Sequence, residues 1–213
     1  MTDDKLSTNE SIDAALRLDG DPQTVKQFYA DWAQNYDRDT SESVYTGPAI
    51  AAQLLSQHMP ELDAPILDAG CGTGLVGVAL KALGYGLVDG FDLSPEMADL
   101  AAATAAYRHI VGNIDMMRAQ EDYPRRDYAA LLSIGVFTLG HVKPQALAVL
   151  LELVRPDGLM LISTRSHYYD QTDFQLQVDT LLANACLTQV QTIWDAPYNH
   201  DGDAHYWLFR KAG

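Results

Sequence analysis

Basic residues are scarce in this chain. Its 213 residues hold 14 Lys and Arg against 29 Asp and Glu, a formal charge of −15. A field of that sign opposes encounter with a phosphate backbone, which proteins neutralise with Lys and Arg. Arg125-Arg126 is the one basic pair ahead of Arg210-Lys211, so no nucleic-acid partner is expected. Cysteine is scarcer still. Cys71 and Cys186 match neither a disulfide framework nor a metal spacing, which suits a reducing compartment and removes metal from the expected chemistry. No apolar run approaches the roughly 20 residues of a membrane span. The opening Met1-Thr2-Asp3-Asp4-Lys5 is polar and acidic, without the apolar stretch of a signal peptide. The expectation is a cytoplasmic protein with no membrane partner. Repeats, low-complexity tracts and linkers are also missing. What remains, 47% hydrophobic and 20% charged, is enough for one large α/β domain with a sizeable core.

That domain is organised around Ile66-Leu67-Asp68-Ala69-Gly70-Cys71-Gly72-Thr73-Gly74. A short apolar run stopped by glycines reads as a buried parallel strand. Leu75, Val76, Val78, Ala79, Leu80 and Leu83 then recur at helical spacing up to Gly84. Strand, glycine turn and helix form a unit in which backbone can approach a ligand closely and helix-terminal N–H groups are free. Two frames fit it. Gly72, Gly74 and Gly77 spell the dinucleotide fingerprint G-x-G-x-x-G. Asp68, Gly70, Gly72 and Gly74 spell D-x-G-x-G-x-G, which resembles the first motif of class I S-adenosylmethionine-dependent methyltransferases. The first frame buries Asp68 and Gly70 inside a strand with no evident partner, a costly arrangement. The second sets Asp68 at the strand tip, where the resemblance turns its carboxylate toward the cationic methionine end of the cofactor. The second frame is favoured.

Other segments follow in the order that this family implies. Asp21-Pro22 reads as an N-cap followed by proline at N1. It opens a helix bearing Val25, Phe28, Tyr29, Trp32 and Tyr36 on one face. Tyr-x-x-Trp-Ala-x-x-Tyr-Asp (29–37) resembles the helix that covers the cofactor in many small-molecule methyltransferases. The resemblance puts Tyr36 and Tyr29 at the methionine end and leaves Trp32 to packing. A second strand, about Leu87–Phe91, ends at Asp92-Leu93-Ser94-Pro95-Glu96-Met97, with Ser94 as N-cap. Asp92 lies 22 residues after Gly70, about where a carboxylate receives the ribose hydroxyls. Asp89 is expected to face outward. A third strand, Arg108–Gly112, is followed by Asn113-Ile114 where the family usually has an Asp that accepts from the adenine amino group. The Asn113 carbonyl can accept instead, the Ile114 N–H would reach a ring nitrogen, and Asp115 is the substitute.

The fourth strand, through Ser133-Ile134, leads into Gly135-Val136-Phe137-Thr138-Leu139-Gly140-His141-Val142, beside the first strand at the switch point where ligands sit. Its first residues would touch the methionine portion and its later ones the acceptor. His141 is either a general base or a polar loop residue. No Asn/Asp-Pro-Pro-aromatic sequence occurs there, so the usual signature for methylating DNA bases and glutamines is missing. Lys143-Pro144 opens a helix through Val154. Leu-x-x-Val-Arg-Pro-Asp-Gly-Leu-Met-Leu-Ile-Ser (151–163) resembles the family's approach to its fifth strand, placed at Leu159–Thr164. Ser166–Tyr169 lies at the rim of the expected acceptor pocket. Thr172 and Gln175 read as a capping box. Two closing strands without an intervening helix match the family's antiparallel seventh strand, whereas a dinucleotide enzyme would continue with a crossover.

The resemblance therefore implies a Rossmann-like α/β fold, a doubly wound seven-stranded sheet in the order 3-2-1-4-5-7-6 with strand 7 antiparallel. A single domain spans 1–213, with residues 1–62 a helical N-terminal cap and 63–213 the core. It implies S-adenosylmethionine as cofactor and S-adenosylhomocysteine as product. Tyr29, Tyr36, Asp68, Ala69, Gly70, Cys71, Gly72, Asp92, Leu93, Met97, Asn113, Ile114, Ser133, Ile134 and Gly135 are the expected cofactor contacts. Phe137, His141 and Tyr168 are the expected contacts of a small-molecule acceptor. No residue is required to be catalytic. Within the family, the Tyr-Asp-rich helix and Gly-x-Phe-x-x-Gly-His-Val look most like the Williams–Beuren-region methyltransferase-like proteins. A non-catalytic cofactor-binding protein of the same fold, and a nicotinamide oxidoreductase, are the competing readings. The second lacks any Tyr-x-x-x-Lys pair.

Overall fold

A computed structural model describes residues 8–42, 45–123, 127–199 and 202–213. Three helices come first: α1 (Thr8–Ala15), α2 (Pro22–Glu42) and α3 (Gly47–His58). Alternation follows, with β1 (Ile66–Ala69), α4 (Leu75–Ala82), β2 (Val88–Phe91), α5 (Pro95–Ala103), β3 (His109–Val111), a 3-10 turn at Met116–Arg118, α6 (Ala119–Asp122) and β4 (Tyr128–Phe137). The chain closes with α7 (Ala146–Leu151), β5 (Val154–Arg165), α8 (Ser166–Gln171), α9 (Phe174–Ala183), β6 (Leu187–Asn199) and β7 (Gly202–Lys211).

The seven strands lie in the order β3-β2-β1-β4-β5-β7-β6. Neighbours from β3 to β5 run parallel, and β7 is antiparallel to both β5 and β6. The sheet is covered on both faces, so its strands alternate between two apolar layers rather than between core and water. On β5, Met160 and Ile162 pack on one side with Phe174 of α9 and Trp207 of β7. Leu159 and Leu161 pack on the other with Leu54 and Leu55 of α3 and Leu80 of α4. Strand order reverses between β1 and β4, and the parallel βα turns on either side of that point open at one edge.

Several local expectations change. Asp89 does not face outward. It is buried, bonded to Arg108 Nε and Nη2 at 2.8 and 2.6 Å and to the Tyr128 hydroxyl at 2.8 Å. β4 continues past Ile134 to Phe137 because the ladder to β5 slips between Ser133 and Phe137. That bulge sets Gly135 at φ +83° and re-aims the strand end toward the switch point. α7 begins only at Ala146 and stops at Leu151, and Val154 already pairs with Tyr128. Arg155–Gly158 is an excursion within β5, with Asp157 at φ +60°. No capping box forms at Thr172. Its hydroxyl bonds the Tyr168 carbonyl, Gln175 accepts from the Tyr169 hydroxyl, and α9 starts after Asp173. The apolar spacing of Ile12 to Leu18 suggests a short helix there, and α1 sits earlier, at Thr8–Ala15. Arg125-Arg126 lies outside the described residues.

The N-terminal helices are clamped to the open edge of the sheet at two places. Thr73 in the glycine turn donates to Asp37 of α2. Leu18, in the α1–α2 connection, lies against Gly140 so closely that a Cβ there would meet the Leu18 carbonyl oxygen at 1.9 Å. With φ at +76° besides, Gly140 is a position only glycine fills without displacement. Gly140→Ala is expected to cost about 2 kcal/mol or more and to lift α1 and the start of α2 from the sheet. Limited proteolysis should show faster cleavage around residues 16–21, and unchanged cleavage with an unchanged urea midpoint would contradict this contact.

Candidate functional site

The glycine turn after β1 uses its glycines for two purposes. Gly70 and Gly72, both at positive φ, line a cavity of about 360 Å³ at the switch point. At Gly72 a Cβ would meet nothing within 4 Å, so bare backbone faces the cavity. Gly74 and Gly77 do not reach it. A Cβ at Gly77 would strike the Tyr107 ring at 2.3 Å, and one at Gly74 would meet α5 and Tyr107 at 3.0 Å. The two glycines that complete the dinucleotide fingerprint thus make room for an aromatic ring.

Tyr107 is the partner that Asp68 lacks in the sequence. Its hydroxyl donates to Asp68 Oδ2 at 2.6 Å and accepts the Gly77 N–H at 3.0 Å. Asp68 is 1% exposed, sits inside β1 and does not line the cavity. Its Oδ1 has no hydrogen-bond partner. Burial, reinforced by nearby Asp92 and opposed by the Tyr107 bond, pushes its carboxyl up to about 7. The expected contact with a cofactor's methionine end is therefore replaced by a strut behind the turn.

Asp92 meets its expectation of place. It stands at the tip of β2 in the cavity wall, Oδ2 accepting from Gly72 N–H and Oδ1 from Ser94 N–H, each at 2.8 Å. Burial raises its carboxyl and the main-chain donors pull it back. Ser94 caps α5 by accepting from Met97 N–H, which fixes Leu93 and Met97 in the same wall. Ile114 and Ile134 line it too, as do Tyr29, Tyr36, Gly135 and His141. Four other expected contacts do not. Ala69 and Ser133 are buried, the Ser133 hydroxyl bonding the Ala69 carbonyl at 2.9 Å. Cys71 is buried behind the turn, its N–H on the Phe91 carbonyl. Asn113 turns its side-chain carbonyl to Lys26 Nζ at 2.6 Å. The Ile114 N–H is spent on the Asp92 carbonyl, so Ile114 offers the cavity only its side chain. Asp115 does line it, with Oδ1 capping Met117 N–H at 2.9 Å.

A second, smaller cavity of about 80 Å³ adjoins the first, and Tyr29, Tyr36, Gly135 and His141 line both. At this shared wall the Tyr29 hydroxyl lies 2.8 Å from His141 Nε2, and His141 Nδ1 lies 2.9 Å from the Leu139 carbonyl. A carbonyl only accepts, so Nδ1 carries the proton and Nε2 accepts from Tyr29. Burial lowers the His141 pKa and raises that of Tyr29, leaving the pair neutral. Arg165, Tyr45, Tyr198 and Asn199 complete the smaller cavity with residues of α1 and α2. Phe137 and Tyr168, expected against the acceptor, are in the core instead, edge to face at 6.0 Å, with the Tyr168 hydroxyl on the Val142 carbonyl. Neither they nor the other residues of 166–169 line either cavity.

Sequence reasoning missed Lys26, Tyr45, Arg165 and Tyr198. Lys26 is one helical turn before Tyr29 and was legible from that spacing. The other three come from segments far apart in sequence and carried no local signal. Among the described residues, no group of three or more His, Cys, Asp or Glu could hold a metal, and no helix is long and apolar enough to cross a membrane.

Residues 66–158 match the family described as a methyltransferase domain. Human methyltransferase-like protein 27 is 33% identical over 142 residues, which cover 66% of this chain and 57% of that protein. The chain spans less than two thirds of the length of the curated relatives it matches. Among solved structures, a TehB-like S-adenosylmethionine-dependent methyltransferase from Corynebacterium glutamicum superposes with a TM-score of 0.65 at 22% identity, over 86% of this chain and 97% of that one. The [4+2]-cyclase SpnF superposes at 0.69 and 14% identity, over 92% and 98%. These last two likenesses concern fold alone.

The buried state of Asp68 sets a pH dependence. An unfolded Asp ionises near the ordinary 3.8, whereas folded Asp68 keeps its proton to about 7. Its favourable contribution is full below the lower value and is lost as pH rises to the upper one. Asp68→Asn keeps an acceptor for Tyr107 and removes the titration. The variant is expected to gain about 2–4 kcal/mol on the wild type between about pH 4 and pH 7.5. Urea unfolding across that range checks it, and parallel stability curves would contradict it.

Proposed function

We infer that this chain, which belongs to the class I S-adenosylmethionine-dependent methyltransferase family, binds S-adenosylmethionine in the larger cavity and methylates a small molecule held in the smaller one. The observation that carries this reading is Asp92, a half-buried carboxylate held at a strand tip by main-chain N–H groups beside bare glycine backbone. A carboxylate has about four lone-pair sites, and main-chain N–H groups use only part of them. The remaining capacity suits a ribose hydroxyl. The cavity volume is within the roughly 300–1,000 Å³ of small-molecule sites. The fold does not decide the chemistry, since a cyclase shares it. The paired cavities with a common aromatic wall support transfer between two bound molecules.

S-adenosylmethionine, when bound, supplies a methyl group already activated on a sulfonium. This chain's residues would then have three tasks. Asp92 holds the ribose, and the apolar side chains of Leu93, Met97, Ile114, Met116 and Met117 form a slot for the base. Asp115, with Oδ2 free of the capping bond, replaces Asn113 as acceptor from an exocyclic amine. Gly70 and Gly135 let the methionine end approach backbone, and the rings of Tyr29 and Tyr36 favour a cation at the shared wall. There α2 excludes water and aligns the acceptor, the contributions an activated donor most needs. His141 Nε2, freed by rotation of the Tyr29 hydroxyl, is the base for an acceptor that must lose a proton.

Calorimetric titration with S-adenosylhomocysteine and NAD tests the cofactor. Micromolar binding of S-adenosylhomocysteine is expected, weakened roughly tenfold or more in Asp92→Asn by loss of charge-assisted bonds to the ribose. NAD binding without a response to S-adenosylhomocysteine would sink the proposal and restore Gly72 as the start of a dinucleotide fingerprint.

A further inference from the structure

We propose that the smaller cavity selects acceptors that carry a carboxylate, and that Arg165 is its specificity-determining residue. The proposal rests on the larger cavity being the donor site, and it names the acceptor class for that reading. Arg165 ends β5 and, among the described residues lining the smaller cavity, is the sole charged one; these include no Asp or Glu, while His141 is neutral. Asn199 Oδ1 accepts from its Nη1 at 3.0 Å, and its guanidinium carbon lies 4.6 Å from the centre of the Tyr198 ring. Those contacts orient the group and use one of five N–H donors. Among the described residues it forms no ion pair, in a chain with about two acidic residues for each basic one.

A phenol pair beside Arg165 adds a hydroxyl to its donor set. Tyr198 donates to Tyr45 across a long 3.3 Å, and a Cβ on Gly135 would be 2.8 Å from each of those oxygens. Tyr206 is fully buried and is not among the residues lining this cavity. Burial keeps the Tyr45 and Tyr198 phenols protonated, and because Tyr198 spends its O–H on Tyr45, the Tyr45 O–H is the donor left to the cavity. A planar fork with one flanking O–H group and, among the described lining residues, no competing carboxylate matches a carboxylate better than an amine or a neutral amide. Arg165 and Asn199 line the smaller cavity alone, whereas Tyr29, Tyr36, Gly135 and His141 line both. The carboxylate is thus the handle, and the atom that receives the methyl group lies at the shared wall.

The test uses the full chain saturated with S-adenosylhomocysteine, titrated with benzoate and butanoate against benzamide and butanamide by ligand-observed NMR. On the wild type, at least one acid is expected to bind tenfold or more tighter than its amide. Arg165→Gln should abolish that preference, and Arg165→Lys should restore only part of it because the fork is lost. S-adenosylhomocysteine affinity should be the same in all three proteins, which reports intact folding. Equal binding of acid and amide, no acid binding at millimolar concentration, or an unchanged preference in Arg165→Gln would each overturn the carboxylate site. Failure of S-adenosylhomocysteine to bind the wild type would overturn the donor-site reading instead.

Discussion

The Gly72 N–H to Asp92 carboxylate bond locks together the two loops that floor the larger cavity. The glycine turn is free to take several backbone paths, and β2 is four residues long. Asp92 fixes both. One oxygen stops the turn at Gly72, the other starts α5 through Ser94, and the Phe91 carbonyl just before it receives the N–H groups of Gly70 and Cys71. A half-buried carboxylate is tolerated there because main-chain donors replace part of its hydration. With both loops set, the larger cavity has a rigid floor.

The second cavity depends on the N-terminal helices. Neither Tyr29 nor Tyr36 would face anything if α2 were not tied to the turn through Asp37 and Thr73 and to the far loop through Leu18 and Gly140. The α2 aromatics then serve opposite purposes. Trp32 donates to buried Asp39 at 2.8 Å and lines the smaller cavity only, while its neighbours at positions 29 and 36 form the wall that the two cavities share. The bulge in β4 supplies the other side of that wall by presenting Gly135 without a side chain.

How the site was legible differs from residue to residue. Asp92 could be found from its offset to the glycines, because a strand tip followed by Ser-Pro allows one place for its carboxylate. Asp68 was misplaced for an instructive reason. The preference for the methyltransferase frame rested on its having no partner inside a strand, yet Tyr107, 39 residues away, is that partner. The sheet order and the loss of Gly74 and Gly77 to packing now carry the argument instead. Phe137 and Tyr168 were assigned to the acceptor because their segments reach the rim. A side chain's face on a bulged strand or a single-turn helix is not set by the segment's position, and both rings turn into the core.

By itself the sequence determined what local periodicity and punctuation can encode. Apolar runs stopped by glycine, N-caps followed by proline and the helical aromatic stripe specify the alternating elements, their order and the antiparallel close of the sheet. They also place Asp92 at a strand tip, whereas Tyr36 was placed at the same edge by the family resemblance. Tertiary structure alone decided which polar groups are struts and which face a ligand. Asp68, Asp89 and Asn113 are held by Tyr107, Arg108 and Lys26, and Arg165 is brought beside Tyr45 and Tyr198 by the pairing of β5, β6 and β7. The reason is physical: a backbone pattern fixes where a residue sits, but a buried polar side chain turns to whichever partner the fold delivers, and that partner is distant in sequence.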